Sequence, residues 1–214
     1  STCSNYGLIS EGELADEEFE LNPLSLYAKA KVSNEQYLLD KEGKVNYSGV
    51  ILRFATAFGL SPRMRFDLTI SEFTRELFFG ETLIVFDEHT WRPYCHVRDF
   101  ARLIEIVFNA EKSLVNFEVF NAGGDKNNFT KKMIVDCIAS KIEGAKIEYN
   151  QNDSDPRNYK VNFNKVKTVL GFVPEKSVED GIDELIESFN LGLFKDSKTN
   201  SEQYGNYKLN YSED

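Results

Sequence analysis

Apolar positions recur along the chain in two periods, and the switches between them mark the elements. Val50-Ile51-Leu52 is a continuous apolar run with β-branched residues, closed by Gly59, which predicts a buried parallel strand. Thr82–Phe86 and Phe117–Phe120 predict two more short strands, and Trp91–Val97 is held extended by its proline and aromatics. Elsewhere the period is helical. Asn22-Pro23 signals a turn and Ser25 an N-cap, so a helix carries Tyr27, Lys31, Glu35 and Tyr37 to about Asp40, with Gly43 as its stop. A second helix, from about Asp67 to Gly80, turns Leu68, Ile70, Phe73, Leu77 and Phe78 inward. A third begins near Asp99 with Phe100, Leu103, Ile104, Val107 and Phe108 at helical spacing. Thr130 caps a fourth, with Met133, Ile134, Cys137, Ile138 and Ile142 as core. Asn164 caps a short helix ended by Gly171 and Pro174. Ser177 to Asp180 reads as a capping box opening the last helix, with Ile182, Leu185, Ile186 and Phe189 inward. A helix between two buried strands makes a βαβ unit, so the fold class is α/β.

The stretches between are polar. Residues 10–20 are acidic and read as a solvated surface loop; residues 150–160 read as another loop. Residues 195–214 hold three tyrosines in a polar tail, either disordered or draped over the body.

Charge narrows the partners. The formal charge of −10 and pI near 4.9 argue against nucleic acid and against an anionic membrane surface, but not against a small anionic ligand held by a few local cations. At 214 residues the chain can bury a core, as one large or two small domains. Cys3, Cys95 and Cys137 are widely spaced and make no metal-ligand pattern with His89 or His96, which suits reduced thiols in a cytoplasmic protein. No apolar run reaches transmembrane length. The chain opens on Ser1 directly into a dense motif, and is expected to be a piece of a longer protein.

The candidate chemistry starts at Tyr27-Ala28-Lys29-Ala30-Lys31. Residues i and i+4 share a helix face, so the Tyr27 hydroxyl and the Lys31 ammonium can serve one site. An ammonium beside a tyrosine favours the phenolate, which makes the pair a candidate acid/base. Taken alone, the pentapeptide reads as an amphipathic surface more readily than as a site. Ser1–Gly7 crowds hydroxyls into a short stretch that reads as a polar turn or as hydrogen-bond donors at a strand end. Ser61–Arg65 is a basic turn in an acidic chain, either solvated or an anion contact.

The order of motifs is more specific than any one of them. A hydroxyl run ends in Tyr6-Gly7; then come Tyr27-x3-Lys31, Leu52-Arg53-Phe54, and Trp91-Arg92-Pro93-Tyr94-x-His96-Val97-x-Asp99. Asp155-Pro156-Arg157-x-Tyr159 and Leu170-Gly171-Phe172-x-Pro174 follow. Together they resemble the extended short-chain dehydrogenase/reductase family, in its sugar-nucleotide epimerase/dehydratase branch, to about residue 193. The resemblance implies the C-terminal portion of a Rossmann-type parallel sheet plus a smaller α/β sugar-nucleotide-binding lobe. Residues 1–60 would be the remainder of the Rossmann domain. Residues 61–193 would be mostly substrate lobe, with 97–122 returning a helix and a strand to the sheet, and 194–214 a tail. No Gly-x-x-Gly-x-x-Gly occurs, so on the order of a hundred residues of nucleotide-binding half would be missing. The piece alone is then expected to bind NAD poorly, and to fold poorly or self-associate.

The same resemblance implies roles. Thr2, Tyr27 and Lys31 would be catalytic. Tyr27, Lys31 and the backbone of Phe54 and Ala55 would hold NAD, with NADP as the alternative. Ser4, Thr56, Leu68, Phe86, Arg92, Arg157 and Tyr159 would bind the nucleotide sugar: the two arginines at its diphosphate, Leu68 and Phe86 at its base. Two positions depart from the family pattern. Cys3 and Ser4 stand where dehydratases carry Asp-Glu, and Thr56 stands where many epimerases have asparagine. The leading expectation is an NAD-dependent epimerase acting through a transient 4-keto sugar, in a homodimer. A 4-keto-sugar reductase using NADPH and a non-catalytic binding fragment are the competing readings.

Overall fold

The computed structural model describes residues 1–151, 156–197 and 199–206. A helical turn at Cys3–Tyr6 opens the chain, capped by Thr2, whose Oγ1 accepts from Ser4 N at 3.2 Å. Gly7 ends the turn at φ +66°, and a Cβ there would lie 1.9 Å from Asn22 O, so only glycine fits. Helix α1 (Leu26–Leu39) follows, capped by Ser25. Then come β1 (Val50–Phe54), β2 (Thr56–Phe58), α2 (Thr69–Phe78), β3 (Thr82–Phe86), β4 (Trp91–His96) and α3 (Val97–Asn109). The chain continues through α4 (Lys112–Val115), β5 (Glu118–Ala122), β6 (Asn128–Thr130), α5 (Lys131–Ala139), β7 (Lys146–Asn150), α6 (Asn164–Leu170) and α7 (Val178–Asn190).

The strands form three small sheets. β1 pairs with β5 in parallel, Val50 beside Glu118 and Phe54 beside Ala122, as the apolar runs predict. Thr2 bridges Phe54 on the opposite side of β1, so the hydroxyl stretch runs along that strand's end. β2 pairs parallel with β4, which pairs antiparallel with β6; β3 pairs parallel with β7.

Two cores result. One lies between the β1–β5 sheet and α3 and α6, around Tyr6, Leu103, Phe120, Phe163 and Phe172. The other joins α2, α5 and α7 around Phe58, Ile70, Ile134, Ile182 and Leu185. They meet at the second halves of β4 and β2. His96 is fully buried there: its Nδ1 accepts from Arg98 N at 3.1 Å and its Nε2 lies 2.9 Å from Glu184 Oε2. The backbone donor to Nδ1 assigns the ring proton to Nε2, facing the carboxylate. Gly59, at φ +99°, lies against the ring; a Cβ would come within 2.0 Å of Nε2. Asp99, also buried, accepts from Glu175 N, Lys176 N and Arg102 Nη2, each at 3.0 Å, and so fixes the turn that launches α7.

Several expectations need correction. Phe108 is 84% exposed, because the apolar stripe of α3 is wider than the sheet it covers. Met133 is exposed rather than core. The side chain capping α6 is Asn162, accepting from Asn164 N at 2.7 Å, and Asn164 is already helical. The acidic stretch is not wholly solvated: Ala15 is buried and Glu17 bonds inward. Strand β7 escaped the sequence reading because Lys146-Ile-Glu-Tyr-Asn150 has too few apolar residues on its half-covered face. The segment after α7 is draped over the body: Phe194 and Tyr204 pack on the second core.

Burial acts to raise the Glu184 carboxyl, but the Leu60 N–H, His96 and Arg98 outweigh it and hold it below its ordinary value. A depressed carboxylate contributes stability above its unfolded pKa, and that contribution is lost as pH falls through the folded pKa. Glu184→Gln should therefore cost about 1–2 kcal/mol at neutral pH. The gap should close in acid below roughly pH 4. Equal gaps in denaturant unfolding across this range would contradict the assignment.

Candidate active site

The site is built around one buried ion pair. Arg53 projects from β1 and Glu35 from the inner face of α1, both about 5% exposed. Arg53 Nη2 and Nε donate to the Glu35 carboxylate at 2.8 and 3.2 Å. The other Arg53 nitrogen donates to Tyr6 Oη and to Glu17 O, both at 3.0 Å. Asn5 Nδ2 adds a bond to Glu35 Oε1 at 2.8 Å, and Tyr6 Oη donates to Asn121 Oδ1 at 2.7 Å. Burial acts to lower the Arg53 guanidinium, yet the bonds from Glu35 and Tyr6 hold it above its ordinary value. Burial pushes the Tyr6 hydroxyl up, so it stays a neutral donor. One cluster thus ties the hydroxyl stretch, the acidic loop, α1, β1 and β5 together.

That anchoring sets the pose of Tyr27. Tyr27, Lys31 and Glu35 follow one another at i, i+4 and i+8, on one side of α1. Glu35 is the buried end of the series, and Tyr27 is 57% exposed at the other. Lys31 Nζ lies 5.6 Å from the centre of the Tyr27 ring.

Tyr27 faces a cavity of about 1370 Å³. This exceeds the ~300–1,000 Å³ of an ordinary small-molecule pocket, as an extended ligand requires. Thr2 and Ser4 line it from the first turn, and Phe54, Ala55 and Thr56 from the junction of β1 and β2. Leu68, Arg92, Arg157 and Tyr159 line its other wall. Sequence reasoning therefore names residues that the fold does bring together. Two others are placed differently. Lys31 lies beside the Tyr27 ring without joining the lining, and Phe86, 41% exposed on β3, does not join it either. The Phe86 carbonyl accepts from Lys131 Nζ, a lining residue, at 2.7 Å. Asp155, part of the motif before Arg157, lies outside the described residues.

The cavity lining is rich in cations in an acidic chain. Arg92 is 8% exposed, with its guanidinium 5.0 Å from the Tyr159 ring centre and Nη1 bonded to Trp91 O. Tyr159 Oη lies 3.1 Å from Ser4 Oγ, joining that wall to the first turn. Burial pushes Tyr159 up, and Tyr94 beside it up to about 12, so both are neutral hydrogen-bonding groups. Arg65, Lys131 and Thr69 also line the cavity and were not expected there. Arg65 is neutralised by Asp67 at 2.6 Å. The first turn of α2 opens on the cavity without a side-chain cap, so its N–H groups suit an anion. The signal for Lys131 and Thr69 was their position at helix starts, which becomes informative only once the helices are placed.

Cys3 does not line the cavity. Its thiol donates to Arg53 O at 3.0 Å, and burial pushes it far above its ordinary range. Among the described residues no group of His, Cys, Asp and Glu is placed to hold a metal ion, and no helix is long and apolar enough to cross a membrane. A smaller cavity of about 450 Å³, beside Gly123–Asn127 and Val173–Ser177, contains none of the expected residues.

Residues 1–123 match the model of the NAD dependent epimerase/dehydratase family. The chain belongs to this family. It is 27% identical over 182 residues to the UDP-glucuronate 4-epimerase of Thermodesulfobacterium geofontis, covering 82% of this chain and 54% of that protein. The crystal structure of dTDP-glucose 4,6-dehydratase from Bacillus anthracis in complex with NAD superposes with a TM-score of 0.79 at 24% identity, over 95% of this chain and 63% of that one. UDP-glucuronic acid 4-epimerase from Bacillus cereus, in complex with UDP-glucuronic acid and NAD, gives 0.77 at 26% identity, over 89% and 60%. The chain spans about half the length of the curated relatives it matches.

For this epimerase/dehydratase chain, Glu35→Gln should destabilise by about 3–5 kcal/mol, since it leaves Arg53 charged and buried with a weaker partner. Chemical denaturation of the full-length protein checks this. A loss under 1 kcal/mol would mean that Arg53 finds another partner.

Proposed function

We propose that this chain is the catalytic and sugar-nucleotide-binding part of an NAD-dependent 4-epimerase. The observation that carries the reading is that Tyr27 and the Arg92–Arg157 wall line one cavity. A nucleotide sugar needs both: a proton carrier at its ring and cations at its diphosphate.

The donor set fits the nicotinamide end of NAD. Tyr27 lines the cavity with Lys31 beside its ring, and the two would be the donors for ribose hydroxyls; Phe54 and Ala55 line the same cavity. When bound, NAD supplies reversible oxidation of the sugar at C4. Everything else falls to this chain. Tyr27 Oη takes the proton from the sugar 4-hydroxyl and returns it after the keto sugar has turned over. Thr2 Oγ1 already accepts from Ser4 N, which leaves its own proton to donate to the same sugar oxygen. Ser4 and Tyr159 form a neutral hydroxyl pair at the sugar. Arg92 is stacked and nearly buried, so its fork is preorganised for phosphate oxygens. The open first turn of α2 adds N–H donors on the same side.

Among the reactions that relatives' names describe, an internal epimerisation suits these residues best. Water elimination needs an acid and a base besides the tyrosine. Cys3 is buried and neutral behind Arg53, and Ser4 cannot supply a carboxylate.

In the full-length protein, Tyr27→Phe should lower turnover roughly 10²–10⁴-fold while sparing cofactor binding. Steady-state assay with NAD and a UDP-sugar checks it, and near-normal turnover would remove Tyr27 from the chemistry. Arg92→Ala and Arg157→Ala should raise KM for the nucleotide sugar more than they lower kcat, because diphosphate contacts hold ground state and transition state alike. A pure kcat effect would place these arginines at the reacting carbon instead.

A further inference from the structure

The polar segment after α7 returns to the large cavity. Phe194 and Tyr204 pack their rings on the buried Phe66, with centres 5.4 and 5.3 Å away. Phe66 N donates to Tyr204 O at 2.7 Å, and Arg63 Nη2 to Gly205 O at 3.2 Å. Tyr204 Oη donates to Asp196 at 2.7 Å, which closes the segment on itself. The backbone N–H of Asn206 donates to the Asp67 carboxylate, one of the bonds that hold that carboxyl below its ordinary range. Asn206 itself lines the cavity beside Arg65, Asp67 and Leu68.

The loop between β2 and α2 is therefore held between two things. On one side is the cavity, to which it presents Arg65, Asp67 and Leu68 and beyond them the uncapped start of α2. On the other is the returning segment, attached by a tilted ring contact and by bonds to the carbonyls of the consecutive residues Tyr204 and Gly205. The ring contacts give the loop its only buried aromatic side chain, Phe66, a permanent cover. Asn206 then stands at the cavity rim with one amide acceptor and two donors, which suits the mixed donor and acceptor edge of a pyrimidine or a phosphate oxygen.

We propose that residues 199–206 form a strap that completes the nucleotide end of the cleft, with Asn206 as a contact for the nucleoside diphosphate part of the substrate. This rests on the reading of the cleft as a sugar-nucleotide site. The strap fixes the loop that carries Leu68 and the Arg65–Asp67 pair, and its last residue touches the ligand. It makes the nucleotide pocket depend on a segment far from the catalytic helix in sequence.

The test is calorimetric titration of UDP and dTDP into the full-length protein and its Asn206→Ala, Tyr204→Ala and Arg92→Ala variants, with melting temperatures recorded alongside. Asn206→Ala should weaken the better-bound nucleotide about 3- to 10-fold, the loss of one hydrogen bond, with the melting temperature unchanged. Tyr204→Ala should weaken it at least as much by freeing the strap. Wild-type affinity in Asn206→Ala, while Arg92→Ala loses binding, would overturn the strap and leave the sugar-nucleotide reading standing. Failure of the unmutated protein to bind either nucleotide would overturn both.

Discussion

The Arg53–Glu35 pair is the contact on which the site depends. A buried ion pair is a poor source of net stability, since each charge gives up its hydration to enter the protein. What it does provide is position. The Glu35 carboxylate accepts from Arg53 and Asn5, and the guanidinium also reaches Tyr6 and the Glu17 carbonyl. With those donors and acceptors satisfied, rotation or sliding of α1 against β1 would leave a charge buried and unpaired. Lys31 and Tyr27 lie about one and two turns before Glu35 on the same side of the helix. The rigid α-helix converts a fixed carboxylate into a fixed phenol at the cavity mouth.

The same logic operates on the other wall. Asp99 and His96 are buried polar residues that accept or donate along the turn into α7 and the end of β2. They hold β4 in register, and β4 delivers Arg92 to the cavity. Neither touches the ligand space; both decide where the cation stands. The chain carries a net charge of −10, so anion binding depends on this local placement and not on any long-range field. Arg65 illustrates the difference: it lines the cavity as well, but Asp67 neutralises it.

Much of this was legible in the sequence, for identifiable reasons. The parallel direction of β1 and β5 followed from their apolar runs, whereas their pairing with each other did not. The capping box at Ser177–Asp180 and the cap at Thr130 followed from local chemistry. The candidate residues came from the family resemblance that the motif order carries, and most of them line one cavity. What was not legible depends on long-range contacts. Glu17 reads as one more acid in a solvated run, yet it accepts from Asn121 N at 2.7 Å, over a hundred residues away. The family resemblance implies a pocket role for Phe86, but strand alternation turns its ring outward and leaves Leu83 and Val85 inside. The role of the tail could not be read at all, because a polar composition cannot distinguish a free chain from one held by two aromatic rings and its own backbone.

On the proposed reading, Tyr27 on α1 and the cations on β4 and the Arg157 loop serve a single ligand. A crystal structure of the full-length protein with NAD and a UDP-sugar tests it most directly. The sugar 4-oxygen should lie within hydrogen-bond distance of Tyr27 Oη and Thr2 Oγ1, with the diphosphate oxygens on Arg92 and Arg157. A nucleotide sugar bound with its diphosphate away from both arginines, or with its sugar ring out of reach of Tyr27, would contradict it.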